Sequence, residues 1–158
     1  MTEDRLVALL KEKDLHISAA ESCTGGLVCS RIVNVPGSSA VFDEGFITYA
    51  NRAKHGLLGV PEEILAAHGA VSPECARAMA EGCAKAAGAD IALSVTGIAG
   101  PDGGTPEKPV GLVYMAGTFR GKTEVEKHHF AGTRRQVREQ AAEAALCLAL
   151  RMLEEEHE

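Results

Sequence analysis

Apolar positions recur along this chain with two periods, and each change of period marks an element. Leu6, Val7, Leu9 and Leu10 stand at helical spacing and predict a first helix, capped by Thr2 and running to about Lys13. Residues 16–20 form a short run, small and mostly apolar, behind a charged stretch, which is the pattern of a buried strand. Helical spacing returns at Leu27, Val28, Ile32 and Val33, so a second helix opens at Thr24 or Gly25 and ends before a turn-rich segment at 34–39. Residues 41–50 are rich in β-branched and aromatic side chains and predict a second strand, interrupted at Asp43-Glu44-Gly45.

A short helix follows with Asn51 as its cap and Lys54 in its first turn, and another begins at Pro61. Ser72-Pro73 supplies a cap and an N1 proline for a helix to about Ala87 that turns Cys75, Met79, Cys83 and Ala86 inward and stops at Gly88. Residues 90–96 predict a central strand. Residues 112–119 and 123–130, joined by Arg120-Gly121-Lys122, predict an antiparallel hairpin. Thr133-Arg134-Arg135-Gln136 fits a capping box for a last helix with the stripe Val137, Ala141, Ala144, Ala145, Leu148 and Met152, and 154–158 reads as a frayed tail. Strands that alternate with helices in this way indicate an α/β fold.

Composition narrows the classes. With 158 residues, 46% hydrophobic and 24% charged, the chain makes one domain, residues 1–158, around one core. A net charge of -6 and a pI near 5.5 disfavour a nucleic-acid or membrane surface, so any anionic ligand must be met locally. No apolar run approaches 18 residues and Met1 is followed by Thr2-Glu3-Asp4 rather than a basic leader, which places the protein in the cytoplasm. Five cysteines without Cys-x-x-Cys spacing read as reduced core residues, and six histidines form no ligand pattern, so no metal and no cofactor are expected. His68 is read as structural.

The candidate chemistry gathers at Ala19-Ala20-Glu21-Ser22-Cys23-Thr24-Gly25-Gly26, where strand gives way to helix. Ser22 there is either a nucleophile or, with Thr24, a simple helix cap. In the first reading, N–H groups of Cys23, Thr24, Gly25 and Gly26 hold a developing oxyanion. Cys23, a thiol near a helix start, is the rival nucleophile. Lys54 is either a solvated lysine or the proton acceptor for Ser22, its basicity lowered by the positive end of its own helix. Gly97-Ile98-Ala99-Gly100-Pro101-Asp102-Gly103-Gly104-Thr105 follows a buried strand and either makes a tight turn or offers N–H groups to a phosphate or carbonyl oxygen. Arg134 and Arg138 are neighbours at a helix start, against the dipole, and either form a solvated basic face or meet an anion.

Four separated motifs then stand in order: Ala20-Glu21-Ser22-Cys23-Thr24-Gly25-Gly26, Gly45-Phe46-Ile47-Thr48-Tyr49-Ala50-Asn51-Arg52-Ala53-Lys54, His68-Gly69-Ala70-Val71-Ser72 and Gly97-Ile98-Ala99-Gly100-Pro101-Asp102-Gly103-Gly104. On these the chain resembles the CinA C-terminal domain family over nearly its whole length, in a stand-alone form without a larger N-terminal domain. The resemblance implies a three-layer α/β/α sandwich with a mixed, mainly parallel sheet and one antiparallel hairpin. It implies a metal-free Ser/Lys amidohydrolase that converts nicotinamide mononucleotide to nicotinate mononucleotide and ammonia. Ser22 would be nucleophile, Lys54 general base, Tyr49 a member of the same site and Arg138 a substrate arginine. Arg134 and the loop at Gly100, Gly103, Gly104 and Thr105 would help to hold the phosphate. The family's usual Tyr-Ser-Asn is Tyr49-Ala50-Asn51 here, one hydroxyl fewer. The alternatives are a nucleotide-binding regulatory domain without turnover, linked to competence and DNA damage, and an amidase with Cys23 as nucleophile. The partner expected is a small nucleotide substrate, with no nucleic acid and no membrane, and the chain is expected to form a homo-oligomer.

Overall fold

Every residue of β1 (Ile17–Glu21) is buried, because neighbouring strands flank it on both edges and helices cover both faces. The computed structural model, which describes residues 1–156, sets this strand in a five-stranded sheet of order β2-β1-β3-β4-β5. The partners are β2 (Phe46–Ile47), β3 (Ile91–Gly97), β4 (Leu112–Phe119) and β5 (Lys122–His129). β1 runs parallel to β2 and β3, whereas β4 is antiparallel to both β3 and β5, so β4 alone runs against the other four. On one face lie α1 (Thr2–Lys13), α2 (Leu27–Val33) and α6 (Arg134–Glu155). On the other lies α5 (Pro73–Ala87), with α3 (Asn51–Leu58) and α4 (Glu62–His68) packed against it. The expected three-layer α/β/α sandwich is thus present.

Strand alternation sorts the core into two unequal halves. Ile17, Ala19, Ile91, Leu93, Val95, Val113 and Met115 join α1, α2 and α6 in the main cluster. Most intervening positions facing α5 are small, namely Ser18, Ala20, Ala92, Ser94 and Ala116, with Tyr114 a large exception. Small residues let α5 lie close to the sheet, and the Ser94 hydroxyl donates to the Ala76 carbonyl at 2.6 Å. Across the helical layer on the other face, Arg31 of α2 donates to Glu3 of α1 at 2.7 and 3.0 Å and to Glu143 of α6 at 2.6 Å, tying three helices together.

Local signals with a clear mechanism set their elements where the sequence places them. Ser72 accepts from the Cys75 N–H, Pro73 opens α5 and Gly88 closes it in a left-handed conformation. Thr133 and Gln136 form the reciprocal capping box of α6.

Other expectations need correction. Thr2 does not cap α1: Met1 holds that position, and the Thr2 hydroxyl donates to Glu143 at 2.8 Å. α2 starts at Leu27 rather than at Thr24 or Gly25, because Gly25 and Gly26 both have positive φ, +56° and +112°, which no α-helix accommodates. Val33 is exposed on its end. The strand expected over 41–50 shrinks to Phe46–Ile47 with one isolated bridge from Ile17 to Phe42, since a 3-10 turn at Ser38–Ala40 and the segment 43–45 interrupt the pairing. Asn51 is the first helical residue of α3 and not its cap. Ala86 faces solvent at the end of α5. The frayed tail is helical to Glu155, and its last two residues, His157 and Glu158, lie outside the described residues.

Candidate active site

The site forms where β1 ends and the chain must turn sharply into α2. Ser22 N–H donates to Val95 of β3 at 2.9 Å, holding the first residue of the turn to the sheet. The turn is then fixed from two sides. From below, the buried carboxylate of Glu21 accepts from the N–H groups of Gly26 at 3.2 Å, Val28 at 2.9 Å and Cys29 at 2.9 Å. From α6, Arg138 donates Nε to the Cys23 carbonyl and Nη2 to the Thr24 carbonyl, each at 2.9 Å.

These bonds decide which N–H groups remain for chemistry. Gly25 N–H is spent on the Ser22 carbonyl and Gly26 N–H on Glu21, so neither glycine serves the oxyanion role expected of it. Among the described residues, the Cys23 and Thr24 N–H groups donate no hydrogen bond, which narrows the candidate oxyanion donors to that pair. The simple cap reading also fails: Gly26 is the N-cap of α2 without a side-chain cap, and the buried Thr24 hydroxyl has no partner among the described residues. Glu21 does the capping instead.

Lys54 stands one turn into α3 and is 1% exposed, so the solvated-lysine reading is excluded. Its Nζ lies 2.9 Å from Ser22 Oγ, 2.9 Å from the Thr48 carbonyl and 3.0 Å from the Tyr49 carbonyl. Two carbonyls can only accept. A neutral amine has two N–H groups for them and one lone pair left, which then meets the Ser22 hydroxyl. Burial favours that neutral form by pushing the Lys54 amine below its ordinary range, against smaller pulls from Cys75 and Cys23. Cys23 is the weaker nucleophile on the same grounds, since burial pushes its thiol up to about 11 and the amine is bonded to Ser22 instead.

Above the dyad opens a cleft of about 270 Å³ lined by Ser22, Cys23, Tyr49, Lys54, Gly100 and Arg134, with Asn51, Thr96, Asp102 and Gly103 completing its polar wall. Tyr49 is 62% exposed at the mouth and accepts a bond from Arg134 Nη2 at 3.1 Å, while Arg134 Nη1 donates to the Gly100 carbonyl at 2.8 Å. The expected arginine pair therefore separates: Arg134 lines the cleft and Arg138 is committed to the turn. Gly104 and Thr105 do not line it either. Gly104 packs on Val110, and Thr105 closes a turn with Lys108 through bonds of 2.9 and 3.0 Å. His68 also lies off the cleft, its carbonyl accepting from Lys108 Nζ at 2.6 Å. A larger groove of about 770 Å³, lined by Leu58, Pro61, Ile64, Ala78 and Val125 among others, lies on the far side of α3 and contains neither member of the dyad.

Glu21 is the site residue whose part in the turn sequence reasoning passed over, although its signal was present: an acid at the end of an otherwise uncharged buried strand, just ahead of a helix start. Among the described residues, no three His, Cys, Asp or Glu side chains are grouped as metal ligands, and no helix is long and apolar enough to cross a membrane.

A family model described as the CinA C-terminal domain matches residues 1–153. A CinA-like protein of Citrifermentans bemidjiense is 59% identical over 136 residues, 86% of this chain and 33% of that protein. A CinA-like protein of Kosmotoga olearia is 57% identical over 151 residues, 96% of this chain and 37% of that protein. The chain thus spans about a third of the length of these curated relatives. Among solved structures, the competence/damage inducible protein of Agrobacterium tumefaciens superposes with a TM-score of 0.94 at 41% identity, over 97% of this chain and 93% of that one. A competence-damaged protein superfamily member from Klebsiella pneumoniae gives a TM-score of 0.94 at 35% identity, over 98% and 96% of the two chains.

Proposed function

The chain belongs to the CinA C-terminal domain family, and from that premise we propose that it is an amidohydrolase converting nicotinamide mononucleotide to nicotinate mononucleotide and ammonia with a Ser22/Lys54 dyad. The observation that carries the reading is the buried 2.9 Å contact between Lys54 Nζ and Ser22 Oγ, with the Thr48 and Tyr49 carbonyls as the other partners of Nζ. A lysine so placed is a base, and a serine so placed is a nucleophile.

The steps follow from proton positions. Lys54 takes the Ser22 proton as Oγ attacks the carboxamide carbon, and the oxygen of the tetrahedral intermediate is held by the Cys23 and Thr24 N–H groups. The Lys54 ammonium gives its proton to the departing nitrogen, and ammonia leaves an acyl-serine. Lys54 then draws a proton from water, whose oxygen attacks the ester, and returns that proton to Ser22 Oγ. Arg134 and the Gly100–Gly103 turn receive the phosphate at the mouth, where an exposed guanidinium can pair with it. Arg138 acts on the turn and not on the substrate.

Ammonia release from nicotinamide mononucleotide by the purified chain is the test, beside Ser22→Ala and Lys54→Met. Each substitution is expected to reduce kcat by at least about a thousandfold with the circular dichroism spectrum intact. Nucleotide binding without ammonia release would overturn the amidase reading in favour of a regulatory binding domain.

A further inference from the structure

Glu21 is a buried titratable group beside the dyad that the steps above leave unused. It is 0% exposed, and its two oxygens accept from three backbone N–H groups, two on Oε1 and one on Oε2. Within the described residues no Lys, Arg or His lies within ion-pair distance of it. A buried carboxylate held by backbone amides and the Cys29 thiol, with no cation beside it, is costly to keep unless those amides must be held in turn.

What they hold is the turn that carries the nucleophile. Gly26, Val28 and Cys29 are the residues through which the chain passes from positive φ into α2, and Gly25 and Gly26 supply flexibility that nothing else in their own side chains restrains. Glu21 precedes Ser22 and reaches over it to the far end of the turn, so Ser22, Cys23 and Thr24 are enclosed in a ring closed by its carboxylate. The ring uses the N–H groups of Gly26, Val28 and Cys29 and leaves those of Cys23 and Thr24 unspent.

We infer that Glu21 is a positioning residue, whose carboxylate clamps the first turn of α2 and so fixes the Cys23 and Thr24 N–H groups for the oxyanion. It also fills the start of α2, so that a substrate anion is received elsewhere, at Arg134. The inference rests on the Ser/Lys reading above.

A fluorophosphonate tests it without nicotinamide substrate: Ser22 Oγ attacks phosphorus, fluoride leaves, and the phosphoryl oxygen takes the oxyanion position. Glu21→Gln keeps the side-chain size but replaces one of the two acceptor oxygens by an NH2 group, which then faces at least one of the three N–H donors. In the folded variant the labelling rate is expected to fall about 30-fold or more, approaching the roughly 100- to 1000-fold cost of removing an oxyanion donor outright. The pH midpoint of labelling, set by Lys54, should stay at its wild-type position, and KM for nicotinamide mononucleotide should change less than twofold while kcat falls. A wild-type labelling rate in folded Glu21→Gln overturns the inference even where the melting temperature drops, because it leaves Glu21 a stabilising role alone. A displaced pH midpoint also overturns it, since Glu21 would then act through Lys54. Should Glu21→Gln not fold, Glu21→Asp, which keeps the charge one methylene short of its donors, is read in the same way. A wild type that is not labelled, or is labelled equally in Ser22→Ala, overturns the Ser/Lys reading and this inference with it.

Discussion

A lysine whose charged form is disfavoured by burial should announce itself in stability, with no substrate present. Lys54 is buried against Thr48, Tyr49 and Ser22, and its amine is pushed below the ordinary 10.5 by loss of hydration. In the unfolded chain it titrates near 10.5 again. Between the folded value and 10.5 the unfolded state therefore binds more protons, and stability rises with pH across that window. Below the window both states are charged and the full penalty of burying an ammonium remains; above it the penalty is gone. Lys54→Met removes the titration, at the expense of leaving two carbonyls without a donor. The wild type should therefore gain on the variant as pH rises, by at most about 1.4 kcal/mol per pH unit for one proton. For a chain of this size that is about 3–5 °C in Tm per unit. Calorimetric melts of both proteins from pH 6 to 10.5 read the difference, and other titrations cancel in it. Parallel curves, or a wild type that loses ground as pH rises, would refute a depressed Lys54 and with it the base.

Three further outcomes follow from the geometry. Arg31→Met should destabilise the fold by about 3 kcal/mol, because it strands Glu3, 6% exposed, beside Glu143; Arg31 holds the Glu3 carboxyl below its ordinary range, so urea melts should show this loss above pH 4.5 and its disappearance as acid protonates Glu3. Ala50→Ser should stabilise by about 1 kcal/mol, because Ala50 is the N-cap of α3 in extended conformation with no side-chain cap, and a hydroxyl there can accept from the first turn; thermal melts measure it. Arg134→Ala should raise KM for nicotinamide mononucleotide at least about tenfold with kcat within threefold, and leave turnover of an amide without phosphate unchanged in a steady-state ammonia assay.

The parts of this fold that were legible in the sequence are those set by a few adjacent residues. Ser72, Pro73 and Gly88 carry the two ends of α5 in their own chemistry, and Thr133 with Gln136 carries the start of α6. The tight link at Arg120-Gly121 fixes the β4–β5 hairpin in the same way. What depended on distant partners was not legible. Arg138 sits at a helix start like a residue awaiting an anion, yet its acceptors are two carbonyls more than 110 positions earlier in the chain. The strand expected over 41–50 had the right composition, but it pairs with β1 only at Phe46–Ile47 and at the single bridge from Phe42 to Ile17. Lys54 read by itself favoured a solvated surface lysine, and only the folded chain shows it enclosed beside the Thr48–Tyr49 backbone.

These placements divide the site into two mechanical parts. Ser22 and the two unspent N–H groups lie on a turn pinned by Glu21 from within and by Arg138 from α6, while Lys54 is pinned by two carbonyls. None of these atoms needs to move for the proton to pass. Arg134 and Tyr49 are exposed at the mouth and pair with each other across the cleft, so an incoming phosphate can compete for the same guanidinium. The start of α2, which would otherwise attract that phosphate, already holds the Glu21 carboxylate. On the proposed reading, substrate anion and nucleophile would thereby be kept apart within one cleft, with the phosphate at Arg134 and not on the Cys23 and Thr24 N–H groups. Substitutions at the mouth should then act on KM and substitutions around the turn on kcat, a division that would be lost if the phosphate were bound by the turn itself.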